Sequence, residues 1–170
     1  MAAMELTTLI CGEIAGILRQ DEQGLCSFVY APTYCGAPLS LTMPLSNRTY
    51  GHNIVRPFLF GLLPDSQEQR RAIAAEYDAA SNTPVPLLCH IGLDCAGAVQ
   101  FCQTDQLNAA RGRVSAYRPL TNSQIARKLK AIRDDERATW MGSNESWSLG
   151  GNQGKFALAW HDGQWCECLG

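Results

Sequence analysis

The chain has no uninterrupted apolar run of the roughly 18 to 20 residues that a membrane-spanning helix requires. Its first apolar stretch, residues 6–18, is interrupted by Glu13 and preceded by Glu5 rather than by Lys or Arg, so it lacks the pattern of a secretory signal. An excess of positive charge is also missing, because 14 Lys and Arg stand against 16 Asp and Glu. We therefore expect a cytoplasmic protein that binds neither a membrane nor nucleic acid directly.

Paired cysteine motifs are missing as well, although the chain has eight cysteines. No C-x-x-C occurs, and the C-x-C formed by Cys166 and Cys168 has no second pair nearby to complete a zinc site. The other six are scattered, mostly in apolar surroundings: Cys11, Cys26, Cys35, Cys89, Cys95 and Cys102. We expect reduced thiols that pack as small apolar side chains, and no metal site.

The common catalytic and nucleotide-binding signatures are absent too. The sequence contains neither G-x-x-x-x-G-K-[ST] nor a G-x-G-x-x-G between a strand and a helix. The histidines have no partner at motif spacing: His52, His90 and His161. Three carboxylates are equally isolated and fit turns or helix starts: Glu13, Asp65 and Asp94. These patterns assign no catalytic residue and no metal ligand.

The chain does contain short apolar runs with the periods of strands and helices. Strands are predicted over residues 7–10, 14–18, 25–30, 39–43, 97–101, 155–160 and 164–168. The first three form an antiparallel meander, and the last two form a hairpin around residues 161–163. Helices are predicted over residues 58–63, from an Asp65 or Ser66 cap to about Tyr77, and over 122–133 after a Thr121 cap, while residues 87–91 form a short apolar turn.

These patterns indicate an α+β fold with small antiparallel sheets and short packed helices. Residues 105–113 are polar and irregular, which predicts a linker between a unit over residues 1–104 and an incomplete second unit over residues 114–170. In the helix that ends near Tyr77, Arg70 and Arg71 are predicted on the solvated face.

A glycine-rich segment near the end of the chain is its most informative feature. Residues 148–158 read S-L-G-G-N-Q-G-K-F-A-L, with a lysine after the glycines. Glycines let backbone N–H groups approach phosphate oxygens, and a loop between two strand-like segments over phosphates is typical of kinases. A plain hairpin turn is the alternative that these residues leave open.

Five motifs resemble, in the same order, the N-terminal half of HipA-type serine/threonine kinases, the toxins of bacterial type II toxin–antitoxin modules. They are residues 16–30 (GIL and LCSFVY of the opening hairpin), 37–45 (APLSLTMPL, similar to PLSLSLPL), 58–65 (FLFGLLPD, similar to FFDNLLPD), 91–99 (IGLDCAGAV, similar to IGxDxxGAV) and 148–158 (similar to SLAGAQPKFAL). The resemblance covers nearly the whole chain, and it implies an incomplete kinase-like N-lobe after the first unit.

The resemblance also implies roles for individual residues. The segment that would cover the phosphates of ATP, used with magnesium by the family, is Gly150, Gly151, Asn152, Gln153, Gly154 and Lys155. Ser148 matches the serine that these kinases autophosphorylate. Gly150 stands for the usual Ala, and Gly154 for the usual Pro or acidic residue, so the loop is expected to be looser. The family's ATP-pairing lysine, catalytic aspartate and metal-binding aspartate lie further downstream, so the 170 residues are expected to be inactive alone.

Two kinds of function follow from this resemblance. The chain is either the N-terminal portion of a HipA-like kinase or a stand-alone regulatory, antitoxin-like module. The expected partners are a HipB-like antitoxin or a separate kinase-core protein, together with self-association. An apolar surface around the final hairpin is expected, because Phe156, Leu158 and Trp160 alternate with alanines.

Overall fold

A computed structural model describes residues 3–114, 116–134, 147–148 and 156–169 of the chain, with only the backbone described at 147–148. The strands are β1 Met4–Ile10, β2 Glu13–Gln20, β3 Cys26–Tyr30, β4 Thr49–Tyr50, β5 Asp94–Cys95, β6 Val99–Cys102, β7 Ala116–Pro119, β8 Trp147–Ser148, β9 Ala159–His161 and β10 Gln164–Leu169. The helices are α1 His52–Gly61, α2 Gln67–Glu76, α3 Pro84–Ile91, α4 Leu107–Arg111 and α5 Asn122–Asp134. The α+β prediction is confirmed.

The largest sheet is antiparallel, with the strand order β4-β3-β2-β1-β6. The predicted meander of β1, β2 and β3 is confirmed. Cys11 and Gly12 both have positive φ, at 52° and 79°, which is the two-residue turn whose twist matches a hairpin. At Gly16 the strands are so close that an added Cβ would lie 2.2 Å from the Val29 carbonyl oxygen, so only glycine fits there.

Three helices cover one face of this sheet and form the main core with it. Residues buried in this core include Leu6, Leu18, Phe28, Leu59, Leu87 and Phe101. The most deeply buried element is α3, in which every residue except His90 is buried. The prediction of a mere turn at residues 87–91 is therefore wrong: Pro84 lies in the first helical turn, where its missing N–H is not needed, and burial stabilises the rest.

Two further predictions in this unit are corrected by packing. The helix predicted after Pro57 begins at His52, and burial of Val55 and Leu59 stabilises it although proline cannot donate a helical hydrogen bond. Residues 39–43 form no strand. Ser40 and Met43 close a tight turn that buries Met43 and leaves Leu41 96% exposed, so the alternation there did not reflect a sheet face.

Helix α2 has the predicted cap but not the predicted surface. The Ser66 hydroxyl accepts a hydrogen bond from the Gln69 N–H, as expected for an N-cap, and the helix ends at Glu76. Arg71 is exposed, but Arg70 is half-buried, and the prediction that it is solvated is wrong. Its guanidinium donates to the carbonyl oxygens of Pro64 and Asp65 and lies over the Phe60 ring.

The prediction that residues 105–113 are irregular is wrong, because a 3-10 helix, Thr104–Gln106, runs into them and α4 follows it. Ala110 of α4 packs with Leu9 and Cys102 in a small second cluster. Because the neighbouring side chains of β1 belong to the main core, this cluster lies on the opposite face of the sheet. The division of the chain into two units and a linker stays a prediction.

The second sheet has three antiparallel strands in the order β7-β10-β9. The predicted final hairpin is confirmed, with Asp162 and Gly163 at positive φ in its two-residue turn, although its first strand begins only at Ala159. The predicted helix over residues 122–133 is also confirmed. The Thr121 hydroxyl accepts from the Gln124 N–H, and the Gln124 side chain accepts from the Thr121 N–H.

In the parts of the chain that the structure describes, no helix combines the length and the apolar character needed to cross a bilayer. The cytoplasmic location expected from the sequence stays a prediction.

Candidate functional site

The predicted phosphate-binding residues lie outside the residues that the structure describes: Gly150, Gly151, Asn152, Gln153, Gly154 and Lys155. Ser148 is described in its backbone alone. The two flanks of the segment are described, with β8 before it and residues 156–169 after it. The site is therefore built from these flanks and from the elements that they contact.

The flank before the glycines joins the first unit. Strand β8 pairs in parallel with β5, so that Trp147 lies opposite Asp94 and Ser148 lies opposite Cys95. Arg113 contacts the same strand through its guanidinium, which lies 3.0 Å from an Asp94 carboxylate oxygen and donates to the Leu93 carbonyl oxygen at 3.2 Å. The Asp94 carboxylate, isolated in sequence, is thus an ion-pair partner of Arg113.

Strand β5 lies within the 91–99 motif, and other residues of this motif hold it in place. An added Cβ at Gly92 would lie 2.3 Å from the Leu88 carbonyl oxygen and 2.8 Å from Phe101, so this glycine allows α3 and β6 to approach each other closely. The Gly92 carbonyl accepts from the Phe101 N–H at 2.8 Å. The Gln100 amide donates to the Leu93 carbonyl oxygen, which also accepts from Arg113.

The flank after the glycines contacts a buried ion-pair cluster. Glu167 of β10 has only 2% of its side chain exposed and accepts from Lys128 of α5 at 2.8 Å and from Arg118 of β7. The Lys128 ammonium also lies 5.7 Å from the centre of the Phe156 ring, a cation–π distance. The buried Glu167 carboxylate thus holds α5 against the second sheet. This contact lies beside Phe156, the first residue after the glycine segment.

The final hairpin presents aromatic side chains to solvent. Trp160 and Trp165 pack edge to face with ring centres 5.0 Å apart, and they are 62% and 45% exposed. Leu129 of α5 is also exposed. Of the three residues expected to form an apolar surface around the hairpin, Trp160 is exposed, but Phe156 and Leu158 are half-buried. Trp165 contributes to the exposed surface and was not predicted.

Among the described residues, the three histidines contact backbone or aromatic groups, and Cys26, Cys89 and Cys102 are buried. Each histidine has a contact of this kind: His52 with the Cys26 N–H, His90 with the Tyr77 ring and His161 with the Tyr117 ring. Burial raises the pKa of the Cys89 thiol to about 11 and also raises the pKa of Cys26 and Cys102. These three thiols stay protonated at neutral pH, when they are poor nucleophiles. Among the residues that the structure describes, no group of three potential metal ligands occurs.

Two pairings in the site were not predicted from the sequence, Arg113 with Asp94 and Lys128 with Glu167. The first joins residues 19 apart in the chain, and the second joins a helix to a strand. A signal for the first was the polar Asp94 within the otherwise apolar 91–99 motif. No local signal marked the second.

Comparison with known proteins identifies similar chains. The family described as "HipA N-terminal domain" matches residues 6–102. The chain is 31% identical over 160 residues to a protein of Sinorhizobium fredii named "Putative kinase Y4mE", a match that covers 90% of this chain and 37% of that protein. It is 30% identical over 96 residues to an uncharacterized protein of Haemophilus influenzae, a match that covers 56% of this chain and 88% of that protein.

The chain thus spans little more than a third of the Sinorhizobium fredii relative, but most of the Haemophilus influenzae relative is matched by part of it. The family match includes nearly all of the meander, helices α1 to α3, and β6, which pairs with β1 at one edge of the large sheet. On these grounds the chain belongs to the family defined by the HipA N-terminal domain.

Proposed function

We propose that this chain is the N-terminal portion of a HipA-type serine/threonine kinase of a type II toxin–antitoxin system. The observation that carries the proposal is the extent of similarity to the Sinorhizobium fredii protein named a putative kinase. That similarity covers 90% of the chain, well beyond residue 102 where the domain match ends. It therefore includes most of the second unit, in which the glycine segment lies.

In this proposal the second sheet is the beginning of the nucleotide-binding lobe, and residues 150–155 cover the phosphates of ATP. The donor set suits phosphate, because the backbone N–H groups around three glycines and the Lys155 ammonium are all donors, while phosphate oxygens are acceptors. ATP supplies the phosphoryl group. For magnesium, no group of ligands occurs among the described residues, and no role is assigned to it on this chain.

Ser148 is the proposed site of autophosphorylation. A phosphate there carries a charge of about −1.5 to −2 at neutral pH. The glycine segment begins two residues later, so a phosphorylated Ser148 would repel nucleotide phosphates from it. Autophosphorylation would then expel the segment from the nucleotide and switch the kinase off.

A chimera tests this function directly. The chain replaces the matched N-terminal stretch of the Sinorhizobium fredii protein, and the product is incubated with radiolabelled ATP and magnesium. We expect label on Ser148, lost in Ser148→Ala and strongly reduced in Lys155→Ala, but kept in the matched control Ser146→Ala. The parental protein is assayed in parallel. Autophosphorylation by the parent with no labelling of the chimera would contradict the proposal.

A second candidate function is a stand-alone module that binds a separate kinase core. The Haemophilus influenzae relative favours it, because the matched stretch makes up 88% of that protein. A domain of this kind therefore occurs there with little else attached. The exposed tryptophans of the final hairpin, Trp160 and Trp165, offer this chain an apolar contact surface for a partner or for a second copy.

Light scattering separates the two candidates. The chain is mixed with the remainder of the Sinorhizobium fredii protein as two polypeptides, and each is also measured alone. The module function predicts a complex that Trp160→Lys abolishes, while the control Leu41→Lys, at a position 96% exposed, leaves it intact. An active chimera whose separate halves do not associate would favour the kinase portion instead. A HipB-like antitoxin is the further partner that the resemblance implies.

A further inference from the structure

We infer that β5 and Arg113 form a docking seat that holds β8 in place, and β8 ends two residues before the glycine segment. The seat consists of Asp94, Cys95 and Arg113. The importance of this seat for phosphate binding rests on the function proposed above. The contacts that form the seat do not depend on that function. In this role Arg113 is a positioning residue and touches no reacting group.

The first argument is that both ends of one long segment return to the same two-residue strand. Arg113 contacts Asp94 where the chain leaves the first unit, and β8 pairs with β5 where the chain comes back at residue 147. Between these points the chain forms β7 and α5. Bringing the two ends of a segment of this length together costs conformational entropy. Contacts at both ends are needed to offset that cost.

The second argument is that the seat has a rigid base. Cys95 donates from its thiol to the Gly92 carbonyl oxygen at 3.4 Å, and the Gly92 carbonyl also accepts from the Phe101 N–H. Gly92 itself has no room for a side chain. Because Phe101 is fully buried in the main core, these contacts tie β5 to that core.

The third argument concerns strength. A parallel pairing of two residues is short, and strands of that length are marginal without further contacts. The guanidinium of Arg113 adds such a contact, because it meets both the Asp94 carboxylate and the Leu93 carbonyl, and only 22% of its side chain is exposed. Partial burial makes this pair less screened than an exposed one. Arg113 therefore strengthens the contacts that keep β5 in position to pair with β8.

The test uses the full chain labelled with 5-fluorotryptophan and read by fluorine NMR. The Trp147 resonance is assigned with Trp147→Phe. We expect Arg113→Gln to shift or broaden the Trp147 resonance and to accelerate amide hydrogen exchange at residues 94–95 and 147–148 about fivefold. The resonances of Trp160 and Trp165 should not move. Arg113→Lys keeps the charge but not the planar fork, so its exchange rates should fall between those of wild type and Arg113→Gln.

The matched control is Arg111→Gln, since Arg111 is an exposed arginine two residues away. It should leave the Trp147 resonance and the exchange rates unchanged. An unchanged Trp147 resonance in both Arg113→Gln and Asp94→Asn would overturn the inference, as would global unfolding of both. Because no readout uses nucleotide, an inactive chimera would contradict the proposed kinase function while leaving this result intact.

Discussion

The hydroxyl of Tyr30 donates a hydrogen bond of 2.7 Å to the carbonyl oxygen of Met43. The same hydroxyl accepts from the Leu39 N–H at 2.6 Å, and both Tyr30 and Met43 are buried. One side chain of β3 therefore hydrogen-bonds the first N–H and the last carbonyl of the turn that replaces the predicted strand at residues 39–43.

Replacing this tyrosine tests how strongly the turn depends on it. We expect Tyr30→Phe to lower the free energy of unfolding by about 1–3 kcal/mol, because the buried Met43 carbonyl and the partly buried Leu39 N–H lose their partner. Urea denaturation followed by circular dichroism measures the change. The control Tyr117→Phe, at a ring that is 38% exposed, should change the free energy of unfolding by less than about 0.5 kcal/mol.

Two glycine substitutions should have opposite effects. Gly16→Ala places a Cβ against the Val29 carbonyl oxygen and the Phe28 ring, so we expect a loss of about 1–3 kcal/mol or more. Gly61→Ala adds a methyl group with no atom within 4 Å at the end of α1, and we expect a gain of up to about 1 kcal/mol. Thermal unfolding of both variants decides the matter, and equal effects would refute the close strand approach at Gly16.

The ion-pair cluster predicts an asymmetric response to mutation. Lys128→Met leaves the buried Glu167 carboxylate with Arg118 alone, whereas Glu167→Gln leaves two cations that water can partly solvate, since their side chains are 26% and 58% exposed. We expect Lys128→Met to cost more. Removing both cations should cost about 3–5 kcal/mol, the range for an uncompensated buried charge.

Hydrogen exchange at the β10 amides measures this difference within the second sheet. Arg127→Met is the matched control, because Arg127 is exposed on the same helix. A larger effect of Glu167→Gln than of Lys128→Met would show that the carboxylate is better solvated than its burial indicates.

Alkaline pH should weaken the first unit through Cys89. Burial raises the pKa of the folded thiol to about 11 from an ordinary value of 9.0. The folded chain therefore keeps this proton while the unfolded chain loses it, so the contribution to stability is complete below pH 9 and is lost as the pH rises toward 11. Between these values the free energy of unfolding should fall by about 1.4 kcal/mol per pH unit from this group.

In Cys89→Ala the free energy of unfolding should fall less steeply with pH, by about 1.4 kcal/mol per pH unit. Some decline should remain, because burial also raises the pKa of Cys26 and Cys102. Chemical denaturation between pH 8 and 11 checks the difference. Cys35→Ala, at an exposed cysteine, is the control for loss of a thiol as such.

Local patterns predicted those elements whose contacts are close in sequence. The meander followed from alternating residues and short turns, and α5 followed from the Thr121 cap and the helical spacing of its apolar residues. The turn at residues 39–43 could not be predicted in this way, because the Tyr30 hydroxyl that organises it comes from a different strand. Burial of α3 depends likewise on the sheet beneath it.

The candidate site was predicted by motif rather than by geometry. The 148–158 segment identified where a phosphate loop is proposed, and that assignment stays a prediction. The ion pairs at its flanks could not be predicted, because Asp94 and Arg113, or Glu167 and Lys128, meet only when separate elements pack. Formal charges in the sequence gave no indication of which would be buried.

The antiparallel pairing of β6 with β1 places Cys102 directly opposite Thr7. The first and last strands of the HipA N-terminal domain, β1 and β6, are therefore neighbours in one sheet. A domain with adjacent ends can be spliced into a longer polypeptide, or circularly permuted, without rebuilding its core. A permuted version that joins residue 102 to residue 4 through a short linker, with new ends between the exposed Glu22 and Gln23 of the β2–β3 turn, should therefore fold. Adjacent ends of this kind allow the same domain to form part of chains of very different length.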